Sequence, residues 1–354
     1  MTVSLARAHG TPCPTAVMDA RTMPASEPEL LARLTEVRAA LADHGAADVL
    51  KNALVQPSRH PLFDLDYRFV QSMPDSLDSF DLRGSCGHSI LAAVEAAARV
   101  GMIQPLVAGC RVRVNVLNNG DNVVCEAEET DDGGTRFTAH FLCSPPRPVN
   151  DLLITGEPVT GIPFEGRTVP VSLVSMGNPY LFVHAAELGV HTVDGLFADD
   201  LVLFDRMKRL RLAVCRAQGW DTTGAFPKVA ALLPDGPGSL AVRAISVPSW
   251  HPTVALTGAT CLAAGAAVEG TIPYLLSGVS EQPDNDMLAL RTPGATVRAS
   301  ARITGGPGDR RLAWISVAEK QVDYRGSFLP ASASVPVSAS ASASEELSWL
   351  PLTA

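Results

Sequence analysis

The chain has 354 residues, 46% hydrophobic and 18% charged, enough to bury a large core and too many for one ordinary domain. Its 28 Lys plus Arg against 37 Asp plus Glu leave a net charge of −9, so there is no basic footprint for nucleic acid. No window approaches the ~18 consecutive apolar residues of a membrane span, and the opening MTVSLARAHGTPCPTAV lacks an apolar signal core, so a soluble, cytoplasmic protein is expected.

Leu30, Leu31, Leu34, Val37, Leu41 and Leu50 recur at helical spacing and predict a helix over 28–50. Short, Pro-bounded runs at 52–56 and 67–72 read as strands. Polarity alternates over 110–118 and 122–129 around Asn118-Asn119-Gly120-Asp121, a hairpin signal. A strand at 136–142 precedes a Pro-rich stretch, SPPRPV, expected as a linker, and strands at 169–174 and 180–184 open a second half. Two Ala-rich segments form a rough internal repeat: RGSCGHSILAAVEAAARVGMI at 83–103 and ALTGATCLAAGAAVEGTI at 255–272. Each follows strands, offers a hydroxyl cap in Ser85 or Thr257, is apolar nearly all round, and ends at a glycine, Gly101 or Gly270. Such helices predict that each half wraps sheet around its own central helix. The expected domains are 1–155 and 156–330, followed by a flexible Ser/Ala-rich tail, 331–354.

Seven cysteines without regular spacing make neither a disulfide framework nor a CxxC metal site. Cys110, Cys125, Cys143 and Cys215 lie in apolar or alternating runs and are expected to pack as small hydrophobes, while Cys13, in a Pro-rich opening, is uninformative. Helix starts carry unpaired N–H groups and the positive dipole end, so two of them facing one cleft suit a polycarboxylate. Cys86, between Ser85 and Gly87, lies at the first such start, where a thiolate is favoured and acts as base or nucleophile; an inert cysteine is the alternative. Cys261 falls about one turn inside its helix and is expected to be packed, against a two-thiol epimerase. Lys51 is either a solvated cation or, in a dry cleft, a usable acid or base. His88 and His251 are candidates for carboxylate contact or proton transfer, or ordinary histidines. Asn178 in SMGNPY is either an amide projecting into a cleft or a turn residue before Pro179.

Six segments carry a resemblance: DYRFVQ, RGSCGHSILAAVEAAARVGMI, VRVNVLNNG, SLVSMGNPYLFV, TTGAFPKVAAL and HPTVALTGATCLAAGAAVEGTI. In this order, over roughly residues 10–325, they resemble the PrpF-type methylaconitate isomerase family of the diaminopimelate epimerase-like superfamily. The resemblance implies an α+β fold of two similar domains, each a curled, mostly antiparallel sheet around a central helix, with the active site in the cleft between them. It implies double-bond shift, cis-trans isomerisation or tautomerisation of small unsaturated acids without metal or organic cofactor. Cys86 and Lys51 fall on the family's catalytic cysteine and lysine, with the order of base and acid left open. Asn118, Asn178, His251, Thr257 and Gly258 match substrate-contacting positions, and Ser85, Gly87 and His88 join them as substrate-binding candidates at the first helix start.

Two departures bear on the substrate. Beside the exchange of His88 for the Asn of its CGN segment, the family's RGGTSKG stretch corresponds to Asp19-Ala20-Arg21-Thr22-Met23-Pro24, and the Gly/Ser/Thr-rich stretch before its lysine has become HGAADVL. A less anionic or bulkier substrate, from a specialised biosynthetic pathway, is the expectation. The expected function is a cofactor-independent isomerase of a small unsaturated carboxylic acid. Its alternatives are a cyclase or rearrangement catalyst on the same fold, and a non-catalytic ligand-binding descendant. Expected partners are the carboxylate or keto-acid substrate and a second copy in a homodimer, with no nucleic acid, membrane or metal.

Overall fold

Short apolar and alternating runs, many with β-branched residues, pair into one 16-stranded sheet that curls twice. The computed structural model describes residues 1–224, 226–245, 249–278, 287–306 and 308–329; the expected tail at 331–354 lies outside the described residues. The first half runs β1 (Val3–Ala8), β2 (Thr15–Asp19), α1 (Glu27–Asp43), β3 (Lys51–Pro57), β4 (Leu65–Ser72), β5 (Phe80–Asp81), α2 (Gly87–Arg99), β6 (Arg111–Val116), β7 (Asn122–Thr130) and β8 (Gly134–Pro148). The second half runs β9 (Thr160–Phe164), β10 (Arg167–Met176), β11 (Asn178–His184), α3 (Val193–Phe197), α4 (Leu201–Gln218), β12 (Lys228–Pro234), β13 (Ser239–Ile245), α5 (Leu256–Ala266), α6 (Ile272–Ser277), β14 (Leu288–Arg291), β15 (Thr296–Thr304) and β16 (Arg311–Phe328).

The strands pair in the order β1-β2-β3-β4-β6-β7-β8-β16, and β16 also pairs with β1, which closes a ring around α2. From β16 the sheet continues β15-β14-β13-β12-β11-β10-β9 around α5. The two halves repeat one unit. A hairpin (β1-β2 or β10-β11) leads through an outer helix (α1 or α4) to a parallel strand (β3 or β12), then an antiparallel strand (β4 or β13), then the central helix. Strands covered on both faces read as continuous apolar runs, as in Ala53-Leu54-Val55 and Val229-Ala230-Ala231-Leu232. Outside them, α1 buries Leu30, Leu34, Val37 and Leu41 against Val3, Met18, Leu54 and Val70, and α4 buries Leu203, Met207, Leu210 and Val214 against Leu181, Val183 and Val229. Inside, every residue of α5 and all of α2 from Gly87 to Ala97 is buried, which only small side chains permit in so tight a wrap.

Three expectations need correction. The helix expected over 28–50 ends at Asp43, because His44 and Gly45 (φ +76°) replace the next apolar turn and stop it. The chain from Ala46 onward then delivers Lys51 to the first position of β3. The SPPRPV stretch is no linker: β8 continues through it, with Arg147 opposite Leu312 and Pro148 opposite Arg311 on β16. Gly101 (φ +71°) follows α2 as expected, but α5 stops at Ala266, well before Gly270. No helix among the described residues is long and apolar enough to cross a membrane.

Candidate active site

The starts of α2 and α5 meet head to head. A Cβ on Gly87, the first residue of α2, would lie 2.6 Å from Leu256 Cδ2 and 2.9 Å from Leu256 Cβ, at the first residue of α5. Glycine is therefore required for the approach. The expected hydroxyl caps are corrected: the N-cap residues are Cys86 and Ala255, and neither makes a side-chain capping bond. Ser85 lies one residue too early and Thr257 two too late, so no side chain fills the anion-attracting ends of the two helices. Asn178 clips the halves together, its Nδ2 donating to Ser85 O at 2.9 Å and to Thr257 Oγ1 at 3.4 Å.

At this junction is a cavity of about 70 Å³, lined by Lys51, Ser85, Cys86, Gly87, His88, Asn178, His251 and Thr257 among the expected residues. Asn118 and Gly258 do not line it. The Asn118 amide is consumed as a backbone brace, accepting from Phe69 N at 2.7 Å and donating to Phe69 O and Leu82 O, both at 2.9 Å. Gly258 makes room for the Tyr180 hydroxyl, 2.8 Å from where its Cβ would be. Phe69, Gln71, Asp81, Tyr180, Phe226 and Lys228 also line the cavity, with Gly84, Ala255 and Leu256. Lys228 has a signal that the sequence reading passed over: in FPKVAAL it precedes an apolar strand as Lys51 precedes NALV.

Cys86 is a free, partly buried thiol whose backbone is held by Tyr67 Oη donating to its carbonyl oxygen at 3.3 Å. Behind it His88 and His251 stack with ring centroids 6.1 Å apart. Burial, with nearby positive charge from Lys320 and Lys51, holds His88 neutral, and burial followed by Lys51 takes His251 down to about 3. The His251 Nδ1 accepts the Thr253 N–H at 3.2 Å, so the neutral ring carries its proton on Nε2 as a donor. Ser85 Oγ and His88 Nε2 are buried without partners among the described residues at the cavity wall, an arrangement that a bound polar group satisfies. Lys228 is brought down to about 8, chiefly by loss of water and then by Arg211, with Lys51 adding to the effect.

Cys261 is packed as expected. Its Sγ donates to Asn178 O and accepts from Met176 N, both at 3.3 Å, and burial takes its thiol up to about 12. Cys125 and Cys215 are buried, and Cys110 and Cys143 pack against the core. The altered N-terminal stretch folds on itself: Asp19 takes the Arg21 guanidinium at 2.6 Å and caps the short helical turn at 20–22, so its charge is spent locally. Among the described residues, no arginine lines the cavity. Among the described residues, no group of three or more His, Cys, Asp and Glu is placed to share a metal ion.

Comparison with solved structures places this architecture. The crystal structure of a methylitaconate-delta-isomerase matches with a TM-score of 0.66 at 21% identity, covering 93% of this chain and 95% of that one. A hydroxyproline epimerase from Agrobacterium vitis matches with a TM-score of 0.61 at 16% identity, covering 93% and 91%. The fold is thus α+β of the diaminopimelate epimerase-like kind. In sequence, the 3-methylitaconate isomerase of Eubacterium barkeri is 22% identical over 297 residues, 72% of this chain and 77% of that protein. The 2-methyl-aconitate isomerase of Shewanella oneidensis is 24% identical over 310 residues, 73% and 76%. The PrpF protein family profile matches residues 41–322, and the chain belongs to that family.

Proposed function

We propose that the protein is a cofactor-independent isomerase that moves a double bond, or changes its geometry, in a small unsaturated carboxylic acid of a specialised biosynthetic pathway. The observation that carries this reading is the meeting of two uncapped helix starts at one cavity that also holds a free thiol and a buried lysine. Cys86 and Lys51 act as base and acid around a proton removed next to the carboxylate and returned at the allylic position. The dienolate charge that develops is stabilised by the open N–H groups of α2 and α5 and by the Nε2–H of His251. The relatives named for methylitaconate and methylaconitate support a small unsaturated carboxylic acid as the substrate. The absence of arginine among the described residues of the wall, and an Asp19–Arg21 pair closed on itself, favour fewer carboxylates over more.

The test is NMR in deuterated water with cis-aconitate, methylaconitate and methylitaconate. The expected result is isomerisation, or deuterium uptake at defined carbons, fastest with the dicarboxylic methylitaconate and abolished in Cys86→Ala. A folded Cys86→Ser variant with full activity sinks the assignment of Cys86.

A further inference from the structure

The chain contains four lysines, Lys51, Lys208, Lys228 and Lys320, against 24 arginines. Arginine keeps its charge in any setting, whereas lysine releases a proton once water is withdrawn. Surface ion pairs use the arginines, as in Arg113 with Asp64 at 2.7 Å and Arg291 with Asp235 at 2.6 Å. Three of the four lysines are placed differently: Lys51 and Lys320 are buried and Lys228 is partly buried, while Lys208 is exposed. Of these three, Lys51 and Lys228 line the cavity.

The internal repeat puts that pair at one structural position. Lys51 is the first residue of β3, opposite Thr15 on the parallel strand β2; Lys228 is the first residue of β12, opposite Tyr180 on the parallel strand β11. Each follows an outer helix and precedes an antiparallel strand and a central helix. One lysine and one helix start therefore reach the cleft from each half. The Lys228 amine stands 5.3 Å over the Phe226 ring, a face that holds an ammonium without taking its proton.

The other titratable groups that the second half brings near the cavity do not fit proton transfer. Burial pushes the Tyr180 hydroxyl far above its ordinary range. His251 is held neutral with its acceptor nitrogen committed to Thr253, and Cys261 is packed beneath Asn178. Lys228, near 8, is matched to exchange at neutral pH.

We propose that Lys228 is the catalytic acid–base residue of the second half, so that proton removal and proton return are divided between the two halves. The proposal rests on the isomerase reading above. The first-half base, Cys86 or Lys51, takes the proton next to the carboxylate, the C–H electron pair enters the dienolate, and the acid role given above to the other of that pair passes to Lys228. The Lys228 ammonium gives its proton to the distal allylic carbon; the dienolate pair forms the new C–H bond and the nitrogen keeps its lone pair. Lys228 is left as an amine and the first-half base is left protonated. Exchange with water, one proton lost and one gained, restores both.

With any acid that the native protein isomerises, Lys228→Met and Lys228→Arg in the full chain lose isomerisation by about 100-fold or more, while hydrogen exchange next to the carboxylate persists. Arginine preserves the charge and not the transfer, so a Lys228→Arg variant at the native rate overturns the proposal. Equal loss of exchange and isomerisation in folded variants assigns Lys228 to binding and also overturns it. A titration needs no turnover: with the lysines reductively methylated with ¹³C, four side-chain signals are assignable by substitution. The Lys228 signal titrates near pH 8 and shifts in Cys86→Ser. Titration in the ordinary lysine range overturns the proposal on its own, whereas silence of the native protein toward all three acids counts against the isomerase reading alone.

Discussion

His88 and His251 bring a pH dependence to the fold through two side chains. Both are buried and neutral, His251 down at about 3 from loss of water and the nearby Lys51. In the unfolded chain each takes a proton near pH 6.5. Below that pH the unfolded state binds protons that the folded state refuses, so stability is full above about 6.5 and falls as the solution is acidified. Each histidine contributes up to about 1.4 kcal/mol per pH unit over this window. Urea unfolding between pH 7.5 and 5, above the carboxylate range, is expected to show this loss, with a shallower slope in His251→Gln. Equal slopes in the two proteins would refute the neutral assignment. The histidines were legible in the sequence as candidates and their state was not, because burial and a stacked partner from the other half exist only in the fold.

At the scale of elements, the junction of α2 and α5 turns on Gly87. Helix propensity alone favours alanine there by about 1 kcal/mol. The structure predicts the opposite sign, since a Cβ would meet Leu256 Cβ at 2.9 Å as well as the tip of that side chain. Gly87→Ala is expected to destabilise by about 1–3 kcal/mol and to lower activity by moving the two helix starts apart. Thermal unfolding decides between the signs. Both central helices were readable from their Ala-rich, all-round apolar faces, and the strands around them from alternation. The error in α1 came from counting Leu50 into the helical pattern across a His-Gly stop. The error at SPPRPV came from treating proline as a breaker where an extended, largely exposed strand end tolerates it. The hydroxyl caps failed for a local reason: Ser85 and Thr257 are within two residues of the helix starts but not at the capping position.

For the whole molecule, β16 decides what folds alone. It lies beyond residue 155, yet it pairs with β8 and β1 and closes the first ring, while β15 holds its other side. A fragment of residues 1–155 would leave both β1 and β8 with open edges. Such a fragment is expected to lack a dispersed amide spectrum, and to gain one when the remainder of the chain is supplied. A well-dispersed spectrum from the fragment alone would show the ring is stable without β16. By itself the sequence determined the two Ala-rich central helices, several of the strands around them and the family, because periodicity, small-residue runs and motif order are properties of neighbours along the chain; the resemblance added Cys86 and Lys51 as catalytic candidates. The tertiary structure decided that Asn118 braces backbone and Gly258 seats Tyr180, that Cys261 is sealed, and that Lys228 faces the same cavity as Lys51. Those outcomes depend on which groups burial and strand pairing bring together over separations that begin at 36 residues, between Asn118 and Leu82, and no local pattern encodes such distances.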